Sequence, residues 1–304
     1  MASCDAAING WICIDKDYGR SSASVVNEVK KLIGKKCKVG HAGTLDPLAT
    51  GVLPVAIGSA TKLVSYAMQG RKVYVFTCQW GKETSTHDIE GEVVHSSFLC
   101  PNSCDINDSL SKFVGEISQK PPRTSAVKIR GERAYKKMRR GDDFTIPPRT
   151  VTIYNLEVIC HSDKNNSTEF RMECGAGVYV RALARDMGRM LGCYGYISDL
   201  RRVKSGCFEI DRAISLETLS SFWHNNEGYT GMLPVHCCAD SFMRIDLDSG
   251  SERLLYGEAI RVDMLGQKDI DLSDVWAFFR GEIVAIGKVS EGYFHPRRLL
   301  SSSL

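Results

Sequence analysis

The sequence predicts an α/β protein, with one large mixed domain followed by a small β domain. Three observations carry this. The chain has 304 residues, too many for one average domain and about right for a large one plus a small one. Up to about residue 235, apolar runs with helical spacing interleave with strand-like runs. After about residue 244 the chain breaks into short alternating pieces at 260–262, 275–279 and 283–289.

The elements follow in chain order. Residues 9–14 read as a short apolar strand after a turn, and 15–22 as a loop. Residues 23–33 carry Val25, Val26, Val29, Leu32 and Ile33 at helical spacing, with Lys30 and Lys31 in the last turns. Pro47 disfavours helical angles at Asp46, which places that residue on an extended turn. Residues 48–57 are nearly all apolar and stop at Gly58; 60–67 read as a helix. Residues 73–80 alternate and are rich in β-formers, putting Tyr74 and Phe76 on one face and Val73 and Val75 on the other. A strand starts in 91–94, a short helix is expected at 109–114 and a loop at 119–122. Residues 151–160 and 167–174 read as a strand pair, 180–191 as a helix, and 194–208 as strand and turn. Residues 220–228 are polar and form a linker candidate, and the domains are expected at 1–240 and 241–304.

Composition excludes several classes. A hydrophobic fraction of 43% and a charged fraction of 25% are ordinary globular values, so disorder and collagen-like chains are out. The 12 cysteines are scattered without a C-x-x-C pair; Cys237–Cys238 beside His236 lacks the ligand spacing zinc needs. They read as reduced, small apolar residues of a reducing compartment. Residues 1–11 have no basic and apolar leader pattern, and no apolar run is long enough to span a bilayer, so the expectation is a cytoplasmic protein with no membrane partner.

Charge is concentrated locally. The net charge is only +3, yet residues 119–149 hold ten basic side chains, Arg139 and Arg140 among them, against Glu132, Asp142 and Asp143. Such a segment is the footprint of a polyanion partner, although a merely solvated face has the same composition. Arg201, Arg202 and Lys204 read as a second patch.

The sharpest chemical segment is Gly40-His41-Ala42-Gly43-Thr44-Leu45-Asp46-Pro47-Leu48-Ala49-Thr50-Gly51-Val52-Leu53-Pro54, with one carboxylate in an apolar, turn-rich stretch. A carboxylate pinned between Leu45 and Pro47 is expected to be partly desolvated, hence reactive or costly. An Asp-Pro pair is equally a turn signature, and from the residues alone both readings stand. No G-x-S-x-G elbow is present, which removes a Ser-His-Asp hydrolase.

That fifteen-residue string resembles the signature of TruB-type pseudouridine synthases at nearly every position. Further matches are Arg71-Lys72-Val73-Tyr74, Ser125-Ala126-Val127-Lys128 with Gly131 and Tyr135, and the stretch from Gly177 through Tyr179 and Arg181 to Asp186 and Gly188. Met138 stands where the family usually has Ala. In 84–91 Ser85 stands where an Asp is usual, while Asp88 is kept. The resemblance is strong over residues 9–235; beyond, it is a loose one to the PUA-like β domain of bacterial members.

The resemblance implies a pseudouridine synthase fold: a long, mixed, mainly antiparallel sheet flanked by helices, plus the small PUA-like domain. It implies isomerisation of a uridine in the tRNA T-loop, with Asp46 as nucleophile and no cofactor or metal. Tyr74 would stack on the base and relay a proton, and Arg181 would grip Asp46 through a bidentate fork. His41, Lys62, Tyr179, Leu200, Arg139 and Arg140 would bind the RNA, His41 by filling the space of a flipped base and Lys62 by a phosphate contact. The implied partner is the T-arm of tRNA, met by a monomer without an obligate protein partner. Two alternatives remain: a guide-RNA-directed synthase with partner proteins, and a tRNA folding chaperone without essential chemistry.

Overall fold

The computed structural model describes residues 8–34, 36–225, 231–239, 242–247, 251–262 and 272–300. The elements in the first half are β1 (Gly10–Lys16), α1 (Ser22–Ile33), β2 (Val39–His41), β3 (Thr50–Ile57), α2 (Val64–Ala67), β4 (Lys72–Trp80), β5 (Lys82–Thr84), β6 (Val93–Ser96), α3 (Ser103–Leu110) and β7 (Gly115–Gln119). Then come β8 (Lys128–Ile129), β9 (Glu132–Arg133), α4 (Ala134–Arg139), β10 (Arg149–Ser162), β11 (Ser167–Cys174), α5 (Val180–Met190), β12 (Gly195–Ser205), β13 (Phe208–Glu209) and α6 (Leu216–His224). The chain closes with β14 (Arg244–Asp246), α7 (Ser251–Leu254), β15 (Ile260–Arg261), β16 (Leu272–Phe279), β17 (Glu282–Ser290) and β18 (Tyr293–Leu299).

The central sheet has nine strands, with the path β1-β3-β12-β4-β11-β10-β7 and with β2 and β13 attached to β3 and β12. All its pairings are antiparallel except β12 with β3. This is the mixed, mainly antiparallel sheet that the sequence predicts.

The unbroken apolar runs of β1 and β3 have a physical reason: both faces of these strands are buried. Ile12, Ile14, Leu53, Val55 and Ile57 pack under α1 and α6, against Val25, Val29 and Leu219. The alternate residues Trp11, Cys13, Val52 and Ala56 join Trp276, Phe278 and Ile286 of the five-stranded second sheet, β14-β16-β17-β18-β15. A two-sided strand loses the polar alternation of a half-exposed one. Strand β16 is used likewise, sending Val275 and Ala277 into the small domain's own core.

Several expectations differ from the structure. The helix expected at 109–114 is α3, which starts at Ser103 because the Asn102 side chain accepts from the amide of Asp105 (2.9 Å). Strand β7 fills 115–118, which carries no strand signal of its own, and ends on the first residue of the expected loop; its pairing with β10 supplies what its own sequence lacks. Residues 58–63 form a 3-10 turn before the short α2, not one helix over 60–67. The linker candidate 220–228 overlaps α6, capped by Ser215 and anchored by buried Leu216 and Leu219; its residues 226–228 lie outside the described residues. The expected domain boundary at 240–241 also lies outside them. Among the described residues no helix is long and apolar enough to cross a membrane.

Candidate active site

Asp46 sits on the loop between β2 and β3, and three neighbours fix that loop. The Ser22 hydroxyl, at the start of α1, accepts from the Leu45 amide (2.8 Å) and donates to the Leu45 carbonyl (2.9 Å). The Lys16 ammonium donates to the carbonyls of Asp17, Arg20 and Pro47. Arg202, 1% exposed, donates from Nε to the Val52 carbonyl and from Nη2 to the Gly43 carbonyl. Gly51 must be a glycine here: its φ is +95°, and a Cβ would stand 2.2 Å from the Arg202 carbonyl oxygen.

Strand β12 joins the pieces of the cleft. It pairs Arg202 with Gly51 of β3 on one side and with Tyr74 of β4 on the other. Asp46, Tyr74, Tyr179, Arg181 and Leu200 thereby line one cleft of about 370 Å³, together with Lys72, Arg133, Arg149 and Arg202. Five basic side chains thus share the cleft with one half-buried carboxylate. Asp46 is 35% exposed at its side chain, more open than its apolar sequence context suggests.

Arg181 pairs with Asp46, but not by the expected bidentate fork. Its Nη2 lies 2.8 Å from Asp46 Oδ2, while Nη1 is taken by Asp88 Oδ2 at 3.0 Å, Thr124 Oγ1 at 2.8 Å and the Thr86 carbonyl at 3.2 Å. The Arg181 and Asp88 side chains are only 5% and 2% exposed, so one buried guanidinium is shared between an inner and an outer carboxylate. Asp88 is held in turn by the Thr86 hydroxyl and the Glu90 amide. Position 88 was visible in the sequence as a retained acid, without a role.

The other expected residues divide. Tyr74 is 9% exposed, and burial raises its phenol above the ordinary range, with Arg202 acting against that rise. Burial likewise raises the Tyr179 phenol and lowers the Lys72 ammonium to about 8. Gln119 clamps the backbone of Tyr179, donating to its carbonyl and accepting from its amide. His41 lies on β2, two residues before the cleft wall begins at Gly43; burial, Arg202 and Arg133 hold its imidazole toward the neutral form. Lys62 lies elsewhere: its ammonium donates to the Leu299 carbonyl of the small domain at 2.7 Å.

The second basic stretch is not as read from the sequence. Arg202 is no surface patch but a buried brace, and Arg201 pairs with Asp15 at 2.7 Å. In 119–149, Arg140 forks onto Glu132 and reaches Asp142, while Arg139 lies over the Tyr135 ring. Among the described residues no group of His, Cys, Asp or Glu is arranged to hold a metal ion, the cysteines at 237 and 238 included.

Comparison with known proteins places this arrangement. A family model described as TruB family pseudouridylate synthase (N terminal domain) matches residues 30–180, and one for the tRNA pseudouridylate synthase B C-terminal domain matches 181–234. The tRNA pseudouridine synthase B of Anaplasma marginale is 41% identical over 95% of this chain and 96% of its own.

The chain belongs to the TruB family of pseudouridylate synthases.

The namesake of Ehrlichia chaffeensis is 48% identical over 74% of this chain and 76% of its own. Among solved structures, one of a Cbf5-Nop10-Gar1 complex superposes with a TM-score of 0.72 at 25% identity, covering 96% of this chain and 85% of that one. That likeness extends through the small β domain, so the whole two-part architecture is that of the pseudouridine synthase fold. Asp46, Tyr74 and Arg181 fall inside the segment matched by the TruB models or at its junction.

Proposed function

We propose that this TruB-family enzyme isomerises a uridine in the T-loop of tRNA to pseudouridine, with Asp46 as nucleophile and without a cofactor. The observation that carries the reading is the Asp46–Arg181 pair on the floor of a cationic cleft. Arg181 aims the carboxylate, while the side chain stays open enough to meet a substrate. Arg133 and Arg149 give the cleft the exposed charge that an RNA backbone needs.

The chemistry balances within one nucleotide. Asp46 attacks, the N1–C1′ bond breaks, the base turns, C5 bonds to C1′, the C5 proton leaves, N1 is protonated and Asp46 departs. Leu200 and the Tyr74 ring offer an apolar wall and a stacking face. Burial keeps the Tyr74 phenol protonated, so its hydroxyl relays a proton and does not act as a standing phenolate. The same reading has the enzyme work as a monomer, with no protein needed to deliver the RNA.

Asp46→Asn tests the reading. The substitution is nearly isosteric and leaves the Ser22, Lys16 and Arg202 braces in place. The expected variant is folded by circular dichroism, binds a T-arm hairpin and forms no pseudouridine in it. Conversion at a rate comparable to wild type would remove Asp46 from the chemistry. A wild-type protein that refolds tRNA yet makes no pseudouridine would turn the reading to a chaperone.

A further inference from the structure

Positive charge that no carboxylate answers lies outside the basic segment. Residues 30–38 contain five lysines and no acid, and the four among the described residues, Lys30, Lys31, Lys36 and Lys38, are all exposed. None of these four has an ion pair among the described residues. The nearest preceding acid, Glu28, is taken by Arg20. The contrast with 119–149 is direct: there Arg123, Lys137 and Arg140 face Asp143, Asp142 and Glu132.

A helix end accounts for part of this. Lys30 and Lys31 occupy the last turn of α1, where cations suit the helix dipole. Lys36 and Lys38 lie beyond the helix and gain nothing from it. Their position is informative instead. From Lys38 the chain runs through β2 to His41 and reaches the cleft wall at Gly43. Five residues of extended chain span at most about 17 Å, within reach of the backbone of an RNA whose base enters the cleft. His41 also feels Arg133 of the basic segment, so β2 connects the lysines to the neighbourhood of that segment.

We propose that Lys30, Lys31, Lys36 and Lys38 form a second surface that grips the phosphate backbone of the RNA substrate, reached from the cleft along β2. The proposal rests on the reading that the cleft takes an RNA. The lysines carry no base-reading geometry, so the contact adds affinity and register without sequence preference.

The test is the full-length chain with all four lysines changed to Gln, alongside Lys36→Gln/Lys38→Gln, which leaves α1 untouched. Binding of a T-arm hairpin and of whole tRNA is followed from 50 to 300 mM salt. Each lost duplex phosphate contact flattens the slope of log affinity against log salt by about 0.9. The quadruple variant should flatten it by roughly two to four units and the double by roughly half of that. Turnover at saturating RNA should stay within about twofold, because none of the four lines the cleft, and four Arg in their place should restore binding. Flattening with the hairpin puts the contact on the T-arm; flattening only with whole tRNA puts it on the remainder of the molecule. An unchanged slope with both RNAs in the folded double variant overturns the proposal. Wild-type pseudouridine formation, measured in the same preparations, separates that outcome from failure of the functional reading.

Discussion

Arg181 holds Asp46 through Nη2 alone, at 2.8 Å, because Nη1 belongs to Asp88 at 3.0 Å. The guanidinium is therefore pinned from behind and cannot swing with its partner. Asp46, paired through Oδ2, keeps its other oxygen clear of a counterion that stays fixed. Thr124, the third ligand of Nη1, lies in the basic segment 119–149, so that segment touches the same guanidinium.

Arg181→Lys tests the planar fork. Lysine keeps the charge but cannot reach Asp46 and Asp88 from two fixed nitrogens. Turnover should fall by about a hundredfold or more, as when one aligned donor is removed from a reaction centre. Affinity for a T-arm hairpin should change little. Single-turnover rates like those of wild type would show that the shared geometry is dispensable.

Asp88→Asn tests the anchor. It removes a charge whose side chain is 2% exposed, next to an Arg181 side chain 5% exposed. Breaking a buried pair by one partner costs on the order of 3 kcal/mol, though the amide retains some hydrogen bonding. The melting temperature should drop by several degrees, and turnover should fall about tenfold as Arg181 loosens, equivalent to about 1.4 kcal/mol. A variant as stable and active as wild type would show that Asp46 alone orders Arg181.

Arg139 and Arg140 are neighbours with different fates. Arg140 is already matched by Glu132 and Asp142, whereas among the described residues Arg139 has only the Tyr135 ring. Arg139→Gln should flatten the salt dependence of tRNA binding by about one unit. Arg140→Gln should change the slope less and loosen the loop 132–142, read as faster proteolysis there. Equal slopes for the two variants would mean that RNA strips Arg140 from its carboxylates.

Stability should fall on mild acidification, and His41 should contribute. Its imidazole is lowered from 6.5 by burial and by Arg202 and Arg133, so below that pH the unfolded chain binds the proton more readily than the folded one. Stability therefore falls as pH drops through and below about 6.5, and is flat with respect to His41 above it. Melting curves from pH 7.5 to 5.5 should show a smaller drop for His41→Gln than for wild type. Half-buried His87 is lowered as well and should keep part of the dependence in the variant.

The sequence by itself determined the loop of Asp46, the strand of Tyr74, the helix that carries Arg181 and the small β domain. Each is local: Pro47 sets the turn at Asp46, alternation sets β4, and apolar spacing sets α5. It also matched Asp46 with Arg181 across 135 residues by family resemblance, where no periodicity could. Tertiary structure alone decided how that pair is made. Asp88, Thr124 and Arg202 reach the site only because β12 lies between β3 and β4 and because α5 packs behind them. Arg202 read as surface charge because Leu-Arg-Arg looks solvated. It is buried because the carbonyls of Gly43 and Val52, which no sequence pattern places beside it, satisfy its guanidinium.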